Sequence, residues 1–229
     1  MNRKSRREFL KASIGIGTGV AAAALGCAQS SDSGNNEQRF FKVVHSRRSI
    51  REYKPDPVPT QDIEKILESA RLCPTAGNRQ PWKFLIIQDK DKIESLKKAT
   101  IEYRLSSRDD TAEKDEELVR EEIAKGLSGY FSAPVFIGVL TDSEAPYPGM
   151  NTHDGPIVAS YICLVARAMN YGTVYMTGSV PGIALRKAAN IPDRYDITCV
   201  IALGVPKSWP EKPSKKPLKE LIVREEFVG

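Results

Sequence analysis

The feature that most constrains the fold is an alternation of strand-like and helix-like apolar patterns that continues from residue 38 onwards. The run Val135–Thr141 carries no charged residue and is rich in apolar side chains, which is typical of a buried strand. Thr60–Arg71 instead repeats its apolar residues at helical spacing, with Thr60 suited to cap the helix. Its apolar face consists of Ile63, Ile66, Leu67 and Ala70. Strands and helices mixed at this density predict a three-layer α/β or an α+β domain.

The same apolar patterns predict the elements in the rest of the chain. The predicted helices are Gln38–Ser46, Thr60–Arg71, Asp91–Thr100, Thr111–Leu127, Pro156–Tyr171 and Gly182–Ala189. The predicted strands are Phe84–Gln88, Val135–Thr141, Thr173–Thr177 and Ile197–Leu203. The helix 156–171 is apolar around most of its circumference, which places it in the core or at a subunit interface. Residues 206–229 are rich in proline and lysine and are predicted to form an extended tail that does not fold alone.

Length and charge narrow the function classes. A chain of 229 residues that is 41% hydrophobic suits one ordinary domain, or at most two small ones. Residues 1–26 hold five cations and one anion, so the rest of the chain has 29 Lys+Arg against 28 Asp+Glu, a net charge of +1 in place of +5. A nearly neutral domain argues against nucleic-acid binding. Four cysteines are too few for a small disulfide scaffold.

The first 27 residues are predicted to be an export signal. Ser5–Lys11 (SRREFLK) resembles the twin-arginine motif of exported proteins, and the charge-free run Ala12–Gly26 follows it. A basic N-terminal helix that packs on the domain is the alternative. Ala24–Cys27 resembles the cleavage site of bacterial lipoproteins, in which the cysteine is lipidated, and ordinary cleavage nearby is the alternative to lipidation. The signal predicts an exported protein, periplasmic or anchored through Cys27 on the outer side of the cytoplasmic membrane.

The domain organisation follows from this signal. Residues 28–37 are small and polar and are predicted to form a flexible linker. The chain is therefore divided into a signal over residues 1–27, a linker over 28–37 and one domain over 38–229. The twin-arginine route resembles one that carries folded proteins, often with a cofactor bound, which favours a tightly held redox cofactor.

Two basic segments are suited to binding an anionic ligand. In Arg47-Arg48-Ser49-Ile50-Arg51, three guanidinium groups and a hydroxyl lie within five residues, and a planar guanidinium matches the geometry of a phosphate. If this segment is extended, Arg47, Ser49 and Arg51 share a face. The tail between Lys207 and Lys219 contributes further cations, namely Lys212, Lys215 and Lys216. A solvated basic surface and a soluble tail are the alternatives.

A third motif, Cys73–Trp82 (CPTAGNRQPW), begins where a predicted helix ends. Its proline, glycine and asparagine favour an irregular loop with exposed backbone donors and acceptors. The side-chain amides of Asn78 and Gln80 both donate and accept hydrogen bonds, which suits the edge of a planar heterocycle. A tight turn supported by Trp82 is the alternative.

Other catalytic and metal-binding patterns are absent from the sequence. It contains no nucleophile elbow, Walker loop or GxGxxG motif, and neither His45 nor His153 has the spacing of a zinc or iron–sulfur site. No catalytic side chain and no metal ligand are therefore assigned. Cys163 and Cys199 lie in apolar runs and are predicted core residues. Cys73 lies beside the third motif, where a redox role is the alternative to packing.

Together, the three motifs resemble the nitroreductase family of FMN-dependent oxidoreductases. The order is RRSIR, then PTAGNRQPW after one helix, then a PSKKPLKE tail, and the resemblance covers roughly residues 40–229. It implies an α+β fold, a nitroreductase-like three-layer α/β/α sandwich, in an intertwined homodimer. It also implies two FMN molecules at the dimer interface, each touched by both chains.

The resemblance further implies the residues that bind FMN. The phosphate is assigned to Arg47, Ser49, Lys215 and Lys216. Arg48 and Arg51 are assigned to the ribityl chain and the pyrimidine side of the flavin, where Arg51 is the candidate to stabilise the negative charge of the reduced flavin. The remaining cofactor-binding residues are Pro74, Thr75, Ala76, Asn78, Gln80, Thr177 and Gly178, with Asn78 on the pyrimidine edge. Thr177 departs from the family pattern, since many relatives carry an acidic residue there.

The chemistry implied by the resemblance belongs mainly to the flavin. A donor passes a hydride to it and leaves, and a small-molecule acceptor such as a nitroaromatic or a quinone takes its place. NAD(P)H is the implied donor. Because NAD(P)H is kept in the cytoplasm, export suggests an extracytoplasmic donor as the alternative, such as a quinol, a cytochrome or another carrier. The helix-rich stretch 101–132 is expected to select the acceptor, although its acidic run 113–122 is better explained as a solvated helix.

Two other functions are compatible with the sequence. The first is a family member with different flavin chemistry, such as reductive dehalogenation or flavin breakdown. The second is a non-catalytic flavin carrier that only transfers electrons. Turnover with a defined acceptor separates an enzyme from a carrier, and analysis of the product separates the two kinds of enzyme.

Overall fold

A computed structural model describes residues 32–108, 115–147 and 149–227 of the chain. The predicted export signal, including Cys27, lies outside the described residues. Helix α1 spans Asp32–Ser46, so it begins six residues before the predicted start at Gln38. The part of the predicted linker from Asp32 onwards is therefore helical, and no proline interrupts the segment. The contacts of the chain define two units, divided after Glu37, and the larger unit carries all further elements.

Five more helices and four strands follow within the described residues. The helices are α2 (Thr60–Ala70), α3 (Lys90–Ser106), α4 (Glu116–Leu127), α5 (Asn151–Ala168) and α6 (Gly182–Ala189). The strands are β1 (Trp82–Ile87), β2 (Val135–Asp142), β3 (Gly172–Met176) and β4 (Tyr195–Gly204). Every predicted element is present with bounds shifted by a few residues, and the first residues of the predicted helix 111–127 lie outside the described part.

The four strands form one sheet with the order β1-β2-β4-β3, and all neighbours are antiparallel. Trp82 of β1 lies opposite Thr141 of β2. At the other end of the sheet, Val135 of β2 lies opposite Leu203 of β4, which in turn lies opposite Thr173 of β3. The sheet therefore has two ends, which we call the Val135 end and the Thr141 end. The loops of the site are located relative to these two ends.

Strand β2 divides the core into two layers because its side chains alternate between the faces of the sheet. Val135, Ile137 and Val139 belong to a buried cluster with α2 and α5. Phe136 and Leu140 belong to a second cluster, which contains residues of α3 and α6. Helices thus cover both faces of the sheet, and the predicted three-layer α/β/α sandwich is confirmed.

Helix α5 begins at Asn151, five residues before the predicted start at Pro156. Proline is favoured in the first helical turn, but here Pro156 lies further inside the helix, which continues through it. The extra turn brings Asp154 into the helix, and this side chain is buried. After β4 the chain runs as an extended tail with one short 3₁₀ turn, Leu218–Glu220. Among the described helices, none combines the length and apolarity needed to cross a membrane.

Candidate functional site

The first basic motif and the tail form one cavity of about 550 Å³, which we call the basic cavity. Its walls are two segments that are distant in sequence, residues 44–51 and residues 210–215. Five of the lining side chains are cationic and one is acidic, so the cavity is strongly positive. The charged lining residues are Arg47, Arg48, Arg51, Lys212, Lys215 and Glu211.

Ser49 and its neighbours are held in an extended conformation beside β3. Ser49 forms an isolated parallel bridge with Thr173, and the amide of Ile50 donates to the Thr173 carbonyl at 2.9 Å. The Ile50 side chain is buried in the core, so Ser49 and Arg51 point away from it. Arg47, Ser49 and Arg51 all line the basic cavity, and Arg48 lines it as well.

Arg48 has two roles in the structure. Its Nη1 donates to the carbonyls of His45 at 2.7 Å and Arg47 at 2.8 Å, so the guanidinium caps the carboxyl end of α1, where a cation is favourable. Its Nε is buried and has no hydrogen-bond partner among the described residues. An unpartnered buried donor costs free energy unless a ligand or water accepts from it. The Arg48 side chain, which lines the basic cavity, therefore retains a donor to offer an anion.

Arg51 connects the basic cavity to the turn that follows β3. Its Nε donates to the Tyr130 hydroxyl at 3.1 Å, and Ser179 lies near this hydroxyl as a neighbouring polar group. Burial alone would raise the pKa of Tyr130, but the polar side chain of Ser179 and the hydrogen bond with Arg51, together with the charge of nearby Arg104, lower it. Tyr130 therefore holds the Arg51 guanidinium beside the turn that contains Ser179.

Thr177 and Gly178 lie in this turn and are exposed. The Gly178 carbonyl accepts a long hydrogen bond, 3.4 Å, from Nη2 of Arg104 on α3. No atom lies within 4 Å of the position that a Cβ on Gly178 would take. The backbone of the turn is therefore open to close approach by a ligand. Arg104 and Tyr130, which both belong to the helix-rich stretch 101–132, lie at this turn.

The two tail lysines assigned to the cofactor differ in position. Lys215 lines the basic cavity, whereas Lys216 is not among its lining residues. Lys212 lines the cavity as well. The structure thus brings Lys212 and Lys215 to the arginine motif.

Residues Pro74–Gln80, which we call the glycine loop, have an unusual backbone. Gly77, Asn78 and Gln80 all have positive φ angles, of 55°, 55° and 50°. Such conformations are costly for residues other than glycine and occur preferentially at functional sites. A Cβ on Gly77 would lie 2.8 Å from Cε2 of Tyr147, so the ring leaves no room for a side chain there.

Local hydrogen bonds hold the glycine loop in this shape. The amide of Gln80 donates to the Thr75 hydroxyl at 3.1 Å, and Gln80 Nε2 donates to Asn78 Oδ1 at 3.2 Å. The second bond orients the Asn78 amide, because its oxygen accepts while its nitrogen stays free to donate elsewhere. The side-chain amides of Asn78 and Gln80 are therefore bonded to each other.

Asp154 is a residue of the site that the sequence pattern did not single out. It lies in the first turn of α5, is buried, and its Oδ1 accepts from the amide of Ala76 at 3.3 Å. It thus attaches the glycine loop to the start of α5. The only signal in the sequence is a lone carboxylate just before a long apolar segment.

Cys73, at the entrance to the glycine loop, is a free, buried thiol. Burial raises its pKa, and the nearby negative charge of Asp154 raises it further. Cys163 and Cys199 are also free and buried, with pKa values raised by burial. A high pKa keeps a thiol protonated and poorly nucleophilic, so these three positions favour packing over redox chemistry. In the described part of the chain, no three His, Cys, Asp or Glu side chains are grouped to hold a metal ion.

The basic cavity and the glycine loop lie at diagonally opposite corners of the sheet. Ser49 borders Thr173 on β3, in the row that contains Val135, whereas the loop leads into Trp82 on β1, opposite Thr141. Val135 and Thr141 are six residues apart on β2, or about 20 Å at ~3.4 Å per residue. From β1 to β3 the sheet adds three strand spacings, about 14 Å. Within one chain, the two motifs therefore do not form a single site.

Comparison with known proteins agrees with this architecture. A provisionally named NADH dehydrogenase/NAD(P)H nitroreductase of Archaeoglobus fulgidus is 30% identical over 174 residues, which cover 74% of this chain and 87% of that protein. An iodotyrosine deiodinase of Nematostella vectensis is 27% identical over 200 residues, 80% of this chain and 74% of that protein. A crystal structure of a nitroreductase with bound FMN from Desulfitobacterium hafniense shares the fold, with a TM-score of 0.64 at 22% identity, covering 82% of this chain and 98% of that one.

The sequence profile described as the nitroreductase family matches residues 44–205. This range includes the arginine motif, the glycine loop and the whole sheet. The resemblance inferred from the three motifs is thereby confirmed, and the chain belongs to the nitroreductase family.

Proposed function

We propose that this protein is an exported FMN-dependent oxidoreductase whose two cofactor sites are each completed by two copies of the chain. Its reaction class is that of the family, in which a reduced donor is oxidised and a small acceptor, such as a nitroaromatic or a quinone, is reduced. The observation that carries the proposal is the basic cavity, where the arginine motif and the tail lysines meet.

The residues of the basic cavity fit the phosphate of FMN. A phosphate monoester carries up to two negative charges and several strong acceptor oxygens, and the cavity offers five cationic side chains with one acid. The buried Nε of Arg48 is a donor without a protein partner among the described residues. Arg47, Ser49 and Lys215 are the residues that hold the phosphate, with Lys212 as an additional cation and Lys216 outside the lining.

FMN, when bound, accepts two electrons from the donor and passes them to the acceptor. The task of the chain is to bind it and to set the electrostatics around it. Arg51, fixed by Tyr130, presents a positive charge that stabilises negative charge on the pyrimidine side of the ring. The exposed backbone of Thr177 and Gly178 leaves space for the ring. No side chain is assigned a nucleophilic or acid–base role.

The separation of the motifs supports a homodimer with composite sites. Arg51 and Asn78 are both assigned to the pyrimidine edge of one flavin, yet in one chain they belong to opposite corners of the sheet. The two residues reach the same ring only if Asn78 comes from a second copy. The glycine loop of one protomer, with Pro74, Thr75, Ala76 and Gln80, then covers the ring held by its partner.

Exposed apolar side chains support the same assembly. Phe40 on α1 is 60% exposed, and Phe227 in the tail is 88% exposed. Large apolar side chains in water are unfavourable, and a group of them on one segment is typical of a surface that another chain covers. The tail also exposes Leu218, Leu221, Ile222 and Val223. An extended tail of this kind suits an intertwined dimer.

The donor and the location are linked parts of the proposal. The sequence motifs SRREFLK and ALGC support export by the twin-arginine route, followed by lipidation of Cys27. An exported enzyme is separated from cytoplasmic NAD(P)H, so its donor is either NAD(P)H in an unusual compartment or a quinol, cytochrome or similar carrier. Export is tested by cell fractionation of the wild type and of an Arg6→Lys/Arg7→Lys variant, and lipidation by fatty-acid labelling of wild type and Cys27→Ala.

Anaerobic titration of the purified protein with FMN bound tests the proposed activity. NADH and then NADPH are added while the flavin absorbance is followed. Rapid bleaching identifies a nicotinamide-dependent reductase, and bleaching only with a chemical reductant identifies a different donor. Failure to bind FMN contradicts the proposal. Multiple turnovers with a nitroaromatic or quinone acceptor separate an enzyme from a non-catalytic carrier.

Reductive dehalogenation is the second candidate function. It is favoured by the likeness to an iodotyrosine deiodinase over 80% of this chain. Halide release from a halogenated phenol by the reduced protein, measured with an ion-selective electrode, supports this candidate. Reduction of a nitro group without halide release supports the first.

A further inference from the structure

Arg167 lies outside the basic cavity but touches both segments that form its walls. It is near the carboxyl end of α5 and is half-buried. Its Nε donates to the Ser46 hydroxyl at 3.0 Å, and its Nη1 donates to Asn170 Oδ1 at 3.2 Å. Its guanidinium carbon also lies 4.2 Å from the centroid of the Trp209 ring, a close cation–π contact.

Two of these partners, Ser46 and Trp209, directly precede lining residues of the cavity. Ser46 is the last residue of α1 and directly precedes Arg47. Its hydroxyl also donates to the carbonyl of Lys42 at 2.5 Å, so it is fixed to the helix end. Trp209 directly precedes Pro210, the first tail residue that lines the cavity. One guanidinium therefore connects the start of the arginine motif to the start of the lysine-bearing tail.

Within one chain, the tail has few other contacts that fix it. Lys207 is attached through its amide, which donates to the Glu52 carbonyl at 3.1 Å. For residues 208–216, the stacking of Trp209 on Arg167 is the only hydrogen bond, ion pair or ring contact within the described part of the chain. The position of Lys212 and Lys215 relative to the arginines thus depends on this contact.

We propose that Arg167 is a positioning residue that, by stacking on Trp209 and bonding Ser46, holds the tail lysines over the phosphate end of the cofactor site. This inference rests on the proposed binding of FMN. Arg167 thus contributes to the affinity for the phosphate although it does not touch the cofactor. The guanidinium is suited to this role because it can stack its planar face on a ring while its edge donates hydrogen bonds.

The test compares the dissociation constants of FMN and riboflavin, which differ only in the phosphate. In Arg167→Ala, the FMN constant is expected to rise about tenfold, within the range of one partly buried cation–π contact, while the riboflavin constant changes less than about twofold. Trp209→Leu is expected to match it, and Trp209→Phe to stay close to wild type because a ring remains. The double variant Arg167→Ala/Trp209→Leu is expected to lose no more than either single variant. Lys219→Ala, a tail cation outside the cavity lining, is the control.

The outcomes are distinguishable. If Arg167→Ala leaves the ratio of the FMN and riboflavin dissociation constants unchanged, the inference is overturned while the proposed function stands. This holds whether both affinities fall equally or neither falls. Independent losses that add in the double variant also overturn it. If Arg167→Ala does not fold, as judged by circular dichroism, the two Trp209 variants decide in its place. If wild-type protein does not bind FMN, the proposed function fails and the inference fails with it.

Discussion

The basic cavity and the glycine loop achieve their shapes by different means. The loop is built from neighbours in sequence, since bonds between Gln80 and both Thr75 and Asn78 define it, with Asp154 as its attachment to the core. The cavity is built from segments about 160 residues apart, and it depends on long-range contacts such as that of Arg167 with Trp209. A loop of the first kind can be recognised from its local sequence, whereas a cavity of the second kind exists only in the folded chain.

The largest expected effect comes from removing a cation of the basic cavity. Arg47→Ala is predicted to weaken FMN binding about 10- to 100-fold, because a charge-assisted hydrogen bond contributes about 1.5–3 kcal/mol. Riboflavin binding should change little, since riboflavin has no phosphate. Fluorescence titration measures both constants. Arg71→Ala, which removes an exposed arginine paired with Glu68, is the matched control. Equal losses for both ligands would mean that the cavity does not hold the phosphate.

The next largest effect is expected in the glycine loop. Gly77→Ala is predicted to lower the free energy of unfolding by about 1–2 kcal/mol, because φ is +55° and the new Cβ would meet the ring of Tyr147. Gly178→Ala is the control, since its φ is not left-handed and its surroundings are open, and it should change stability by less than about 0.5 kcal/mol. Urea denaturation measures both. Equal stabilities for the two variants would show that the loop backbone is not constrained.

A smaller effect tests how α2, which leads into the glycine loop, is fixed. The Tyr171 hydroxyl donates to Asp62 Oδ2 at 2.5 Å, and burial, together with this carboxylate, raises the pKa of Tyr171 to about 12. Folding therefore favours the neutral phenol. Its contribution is complete below about pH 10, the unfolded pKa, and is lost as the pH rises towards 12. Tyr171→Phe should cost about 1 kcal/mol at pH 8 and show a flatter loss of stability above pH 10. Parallel pH curves for variant and wild type would contradict this.

The smallest effect is expected at Cys73. Because its pKa is raised by burial and by Asp154, the thiol is not expected to take part in turnover. Cys73→Ala should leave the steady-state rate within about twofold of wild type and lower the free energy of unfolding by ~0.5 kcal/mol. A large loss of activity with unchanged stability would instead support a redox role for this residue.

The fold was predictable where patterns are local. The uncharged apolar run of β2 and the apolar face of α2 each identify their element. A strand that is buried on both faces has a continuous apolar run, whereas a helix that is buried on one face repeats its apolar residues at helical spacing. The helix starts were less predictable. α1 begins at Asp32 and α5 at Asn151, since a proline such as Pro156 permits a helix start without requiring it.

The site was predictable only in part. The arginine motif and the glycine loop carry dense local patterns, and family membership confirms what they suggested about the reaction class. Which of Lys215 and Lys216 faces the cavity depends on the course of an extended tail, which no period of the sequence reveals. Asp154 and Arg167 are single charged residues in a mostly apolar helix. The contacts that connect them to the site, with Ala76, Ser46 and Trp209, join residues more than 40 positions apart along the chain. Contacts of this kind have no local signature.

Mixing two defective variants tests most directly the claim that each site is completed by two chains. Arg47→Ala lacks a phosphate ligand and Asn78→Ala lacks the amide that meets the pyrimidine edge, so each homodimer should bind FMN weakly at both sites. In a heterodimer of the two, separated by distinct affinity tags, a composite arrangement places both defects in one site and leaves the other intact. One site of wild-type affinity per heterodimer is expected. Two weak sites, with no recovery of affinity, would show that each FMN is held by a single chain and would contradict it.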